Sequence, residues 1–213
     1  MSRVLVFSGG GDYVDPWHPF AATSARVAEI LSAAGHDVSI VDTLAALEKG
    51  LADTEVLVVN AGGGIEPHPL DPELSDILSS YRGPLVALHV AATMLPEFDE
   101  WEQTLGGRWD RGQSMHPPRG PLTVRAVSRH PIVDGLAESD TVDEAYSWLR
   151  VSPSSEVLVV HDLEGGSQPV CWIAESDGRR VAYDGLGHDL EAYEAPLAAA
   201  LLERLVEWVA AAA

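Results

Sequence analysis

Short apolar runs alternate with helix-spaced apolar positions through the first half of the chain. Residues 4–7 are all apolar and lead into Ser8-Gly9-Gly10-Gly11, the pattern of a buried strand running into a loop. Val27, Ile30, Leu31 and Ala34 then recur at helical spacing, and Gly35 follows where a helix commonly stops. Residues 37–41 predict a second strand and residues 56–59 a third, the latter ending near Gly62-Gly63-Gly64. Leu74, Ile77 and Leu78 mark a second amphipathic helix, and residues 84–88 a fourth strand. Such alternation predicts a parallel sheet covered by helices on both faces.

The second half is less regular. Residues 122–127, 157–160, 170–174 and 180–184 read as strands, with Asp177-Gly178 as a hairpin turn between the last two. These predict antiparallel elements added to one edge of the sheet. A closing helix carries Leu197, Leu201, Leu202, Leu205, Val206 and Val209. No internal repeat or low-complexity linker interrupts the 213 residues, a length that suits one α/β domain.

Charge and cysteine content narrow the function classes. Acidic residues number 33 against 13 basic ones, for a formal net charge of −20. A surface that negative repels phosphate backbones and anionic membranes, so neither nucleic acid nor a membrane is the expected partner. The one cysteine, Cys171, cannot form an internal disulfide. The N-terminus enters a strand at once, without the pattern of a secretory signal, and no apolar run reaches membrane-spanning length. A cytoplasmic protein is expected, with a homodimer as the default assembly because closed two-fold oligomers are the commonest.

Ligands of open α/β sheets bind outside the carboxyl ends of the strands. Trp17 and His18 follow the first strand, Asn60 the third, His89 the fourth, and Gly187-His188-Asp189 the last. Histidines from distant parts of the chain are thereby expected to meet. His89 sits where a strand breaks sharply into a helical turn, the position of a nucleophile elbow. Amidotransferases of such a fold place cysteine there, whereas Cys171 lies inside a strand, so a thioester mechanism lacks its nucleophile.

Further polar groups cluster around Gly106-Gly107-Arg108-Trp109, His116 and Asp143-Glu144-Ala145-Tyr146. His89, His188, Glu144 and Asp189 are the candidate acid/base groups, because imidazole and carboxylate exchange protons near neutral pH. Trp17, His18, Arg108, His116 and Tyr146 are the candidate substrate contacts, by stacking and hydrogen bonding. No cofactor motif is present. A divalent metal such as zinc is the one cofactor the residues suggest, with three nitrogen ligands drawn from His18, His89, His116 and His188 and a carboxylate completing the set. His36, His68, His130 and His161 read as structural. The glycine run lacks a P-loop lysine and reads as a flexible loop.

In this order, Trp17-His18-Pro19-Phe20, Leu88-His89-Val90-Ala91, Gly106-Gly107-Arg108-Trp109 with His116, residues 130–136, Asp143-Glu144-Ala145-Tyr146 and Gly187-His188-Asp189 resemble the trehalose-utilisation (ThuA-like) family. That family is an offshoot of the class I glutamine-amidotransferase fold without its cysteine. The resemblance implies a flavodoxin-like, three-layer α/β sandwich, mostly parallel with added antiparallel strands in the C-terminal half. It also implies a carbohydrate or carbohydrate-derived ligand turned over by His/carboxylate chemistry, with a non-catalytic accessory module that binds a sugar or a partner protein as the alternative.

Overall fold

The computed structural model describes residues 1–62, 64 and 66–211. In chain order the elements are β1 (Arg3–Ser8), α1 (Phe20–Ala33), β2 (Asp37–Val41), α2 (Leu44–Gly50), β3 (Val56–Asn60), α3 (Asp71–Ser80), β4 (Leu85–Leu88), α4 (Asp99–Leu105) and β5 (Gly107–Arg108). They continue as β6 (Gly120–Ala126), β7 (Ser139–Asp143), β8 (Arg150–Val151), β9 (Glu156–Leu163), β10 (Gly166–Ser176), β11 (Arg179–Asp184) and α5 (Pro196–Ala210).

Nine strands form one sheet in the order β2-β1-β3-β4-β11-β10-β9-β6-β7. The first five are mutually parallel, and each pairing from β11 to β7 is antiparallel. Two cores sandwich the sheet. Val4, Val6, Val56, Val58 and Val86 face α1 and α5, while Leu5, Phe7, Leu57, Val59 and Leu85 face α2, α3 and α4. Successive strand residues point to opposite faces, so strands covered on both sides must be apolar throughout, which explains their unbroken apolar runs.

Strand direction decides what meets at the carboxyl edge. Ser8 pairs with Asn60, and Leu88 with Asp184, so β1, β3, β4 and β11 end level with one another. Four antiparallel steps separate β11 from β7, which therefore points the same way as β11 and ends at the same edge. Glu144 follows directly. His116 precedes β6, which runs the opposite way and thus starts at that edge.

The expected strands and helices of the parallel half are all present, as is the hairpin at Asp177-Gly178, where both residues have positive φ (52° and 77°). α2, α4, β7 and the small β5–β8 pair were not anticipated. The residue Gly63 of the glycine run lies outside the described residues. Its neighbour Gly62 packs against Val90 so closely that a Cβ would collide with that side chain. Among the described residues no helix is long and apolar enough to cross a membrane.

Candidate metal centre at the strand ends

His89 opens a single 3-10 turn, His89–Thr93, directly after β4. Its φ is +44°, a left-handed conformation that costs a non-glycine residue on the order of 1–3 kcal/mol and is held only where the surroundings over-determine it. They do so here. The Tyr183 hydroxyl donates to the His89 carbonyl at 2.8 Å, and the imidazole Nδ1 lies 2.8 Å from the Gly185 carbonyl. Tyr146 stacks on the ring, centroids 4.3 Å apart. A carbonyl can only accept, so Nδ1 carries a proton and Nε2 is the ring nitrogen turned to the site.

His18 is held in the same way from another loop. Asp15 accepts hydrogen bonds from the backbone N–H groups of Trp17 and His18, each at 2.8 Å, and from His18 Nδ1–H at 2.7 Å. Burial acts against the Asp15 charge, but His18 and these N–H groups hold its carboxyl below the usual range. Burial depresses the His18 pKa despite that carboxylate, so the neutral ring is favoured, with Nε2 as the free acceptor.

Glu144 and His188 are joined by Asp143. The Asp143 carboxylate accepts the Glu144 N–H at 2.8 Å, the Gly187 N–H at 2.7 Å and the His188 N–H at 3.2 Å. One side chain at the end of β7 thus fixes the loop after β11. Glu144 Oε2 then lies 3.4 Å from both His89 Nε2 and His188 Nδ1. Burial would raise its pKa, but the two histidines hold it far below the ordinary carboxylate range. His89 moves oppositely: burial disfavours its cation, and Glu144, Asp143 and the Gly185 carbonyl together raise its pKa.

His18 Nε2, His89 Nε2 and His188 Nδ1 are buried and make no well-directed hydrogen bond, the latter two meeting Glu144 Oε2 only at ion-pair distance. Orphaned polar atoms of this kind are rare in a folded interior. Here three converge on one carboxylate, and the donor atoms of His18, His89, Glu144 and His188 all lie within 4.8 Å of one another. A tetrahedral site with bonds of about 2.0–2.1 Å has edges of roughly 3.4 Å. The two Glu144–imidazole separations match that edge. The Asp15–His18 and Gly185–His89 contacts are the outer-shell acceptors that orient metal-bound imidazoles. The residues therefore fit a divalent metal.

A cavity of about 880 Å³ opens above this cluster, walled by Trp17, Trp109, Arg111, His116 and Tyr146. Trp17 is 54% exposed at the rim. The Trp109 ring meets Tyr146 edge-on at 4.8 Å and His116 at 5.8 Å. His116 is drawn aside: its Nδ1 lies 2.9 Å from the Pro117 carbonyl and 3.7 Å from Glu144 Oε1. It faces the cavity but does not join the four converging donors, so of the four candidate histidines it is the one left out, and Glu144 is the carboxylate that completes the set.

Two other expected residues lie elsewhere. Arg108 is buried beneath the cavity wall, bonded to Glu102 and to the Leu95 and Pro96 carbonyls. Along a strand adjacent side chains face opposite ways, and Trp109 is the one turned to the cavity. Asp189 caps the turn Leu190–Glu194 by accepting the Glu191 N–H, and pairs with Arg119 at 2.7 Å. It is structural. Asp15, Asp143, Trp109 and Arg111 also lie at the cluster or line the cavity; Trp109 and Asp143 belong to the candidate motifs, whereas Asp15 and Arg111 lie outside them. Asp15 stands in an i,i+3 relation to His18, a local signal that identifies it.

The sheet order and the imidazole at the strand-to-helix elbow define an α/β protein of the class I glutamine-amidotransferase-like fold with histidine at the nucleophile position. Cys171 is fully buried within β10, and burial pushes its thiol pKa well up. The chain belongs to the ThuA family, described as trehalose utilisation, whose model matches residues 3–209. A ThuA-like protein from Parabacteroides merdae superposes with a TM-score of 0.79 at 18% identity, over 98% of this chain and 90% of that one. Another from Bacteroides uniformis gives 0.75 at 17% identity, over 98% and 91%. The glutaminase domain of Trypanosoma brucei CTPS with bound acivicin gives 0.57 at 12% identity, over 99% and 94%. No curated protein matches the chain.

Proposed function

We propose that this protein is a metal-dependent enzyme acting on a hydroxyl-rich, carbohydrate-derived small molecule. The observation that carries the reading is the convergence of three orphaned imidazole nitrogens on Glu144 at the floor of the cavity. Three protonated histidines at that spacing would repel one another, whereas one divalent ion satisfies all four donors. An ion such as zinc can expand beyond four ligands to accept a substrate oxygen, and it supplies Lewis-acid polarisation. His89 and His188 are then ligands, and proton transfer falls to His116, whose ring faces the same cavity. Trp17, Trp109 and Tyr146 offer aromatic faces to a sugar-like ring. The trehalose-utilisation description of the family supports the substrate class.

A thermal-shift titration tests this. Zinc or manganese should raise the melting temperature of chelator-treated wild type but not of His89→Ala, because only a ligand of the folded state stabilises it. Sugars and sugar derivatives should add a further shift only in the metal-loaded protein. A metal shift that survives His89→Ala overturns the assignment. A sugar shift independent of metal points instead to a binding module.

A further inference from the structure

Resting on that reading, we infer that the substrate carries a carboxylate, as a sugar acid does, and that Arg111 is the residue that selects it. Among the described residues, Arg111 is the one arginine or lysine lining the cavity. It stands in the segment between β5 and β6 and reaches across the mouth to donate to the Gly64 carbonyl at 3.0 Å, bridging the central segment to the loop after β3. Its neighbours in the fold are neutralised: Arg150 pairs with Glu102 and Asp110, Arg108 with Glu102, and Arg119 with Asp189 and Glu191. Arg111 has no carboxylate within ion-pair distance among the described residues, although acidic residues outnumber basic ones 33 to 13. Its sequence neighbour Asp110 is engaged by Arg150 and by the Gly112 N–H.

The charge inside the cavity points the same way. Glu144 is the one carboxylate among the described residues that line the cavity; Asp15 and Asp143 stand behind the ligands, bonded to His18 and to backbone N–H groups, and do not line it. The opening therefore presents two positive centres, the ion at the floor and a guanidinium at the rim, joined by aromatic walls. A hydroxylated carboxylate spans such a pair, with its oxygens on the ion and its acid group on the planar fork of Arg111. Guanidinium matches a carboxylate through two parallel hydrogen bonds. A phosphate ester would carry a second charge that no further lining cation meets.

Isothermal titration of the zinc-loaded protein with D-glucuronate, D-gluconate, D-glucose, D-glucitol and glucose 6-phosphate tests the inference. At least one acid should bind ten-fold or more tighter than its neutral counterpart. Arg111→Gln should lower acid affinity at least ten-fold while zinc affinity, measured separately by chelator competition, stays unchanged. Arg111→Lys should recover only part of the loss, because it keeps the charge and loses the fork. Equal binding of neutral sugars, tighter binding of the phosphate, no binding of either acid, or an unaffected Arg111→Gln each overturns the inference. Zinc uptake lost in His89→Ala would leave the metal centre standing in all of those cases, whereas absent zinc uptake would remove both.

Discussion

Asp143 offers the most searching mutational test, because one buried carboxylate holds two of the four proposed ligands. It is 1% exposed and accepts three backbone N–H groups, at 2.7, 2.8 and 3.2 Å. Hydrogen bonds to a charged group contribute roughly 1.5–3 kcal/mol each. Removing the carboxylate also relieves the cost of burying its charge, so Asp143→Ala should cost less than three such bonds, about 3–5 kcal/mol. For a chain of this length that lowers the melting temperature by about 6–20 °C. Asp143→Asn keeps one accepting oxygen but turns an amide NH2 toward another N–H, leaving it unpaired, at about 1–3 kcal/mol. Disturbing such an outer-shell group should also weaken metal binding about 10–100-fold. Urea denaturation followed by circular dichroism, with chelator competition for zinc, measures both effects. An Asp143→Asn protein with wild-type midpoint and wild-type zinc affinity would refute the reasoning.

Three further outcomes follow from the same geometry. Burial, with Asp143 close by, raises the Asp184 pKa from 3.8 to about 7. The unfolded chain releases this proton first as pH rises, so stability present below pH 3.8 is lost progressively toward pH 7, by at most about 4 kcal/mol. Asp184→Asn should flatten that decline in urea denaturation of chelator-treated protein at pH 5 and pH 8; identical declines would contradict it. Gly187→Ala should cost about 2 kcal/mol or more and weaken zinc binding through His188, because φ is +118° and a Cβ would meet the Tyr193 hydroxyl. Melting temperature and zinc competition both report on this. Asp189→Ala should lose about 1 kcal/mol from its cap while leaving zinc affinity unchanged, since it holds Arg119 and the Leu190–Glu194 turn rather than the cluster. A large loss of zinc affinity there would restore it to the site.

The parallel half of the fold was legible because strands buried on both faces must be apolar at every position, as residues 56–59 are. β7 was not: Ser139-Asp140-Thr141-Val142-Asp143 has one apolar residue, and its place in the sheet depends on pairing with β6. Missing β7 hid the central relation of the site. His89 and His188 were recoverable from the strand-end rule, but the approach of Glu144 to both depends on four antiparallel steps turning β7 toward the same edge. Arg108 was chosen over Trp109 because spacing alone does not say which of two neighbours faces a cavity. Asp189 beside His188 looked like a proton-transfer pair, yet its backbone direction makes it a cap.

X-ray absorption at the zinc edge of the zinc-loaded protein tests the central claim most directly. The proposed site predicts three imidazole nitrogens and a carboxylate oxygen bound at about 2.0–2.1 Å, with no sulfur, and one imidazole fewer in His89→Ala. A shell with at most one imidazole, or a spectrum unchanged by His89→Ala, would mean that these four residues do not hold a metal.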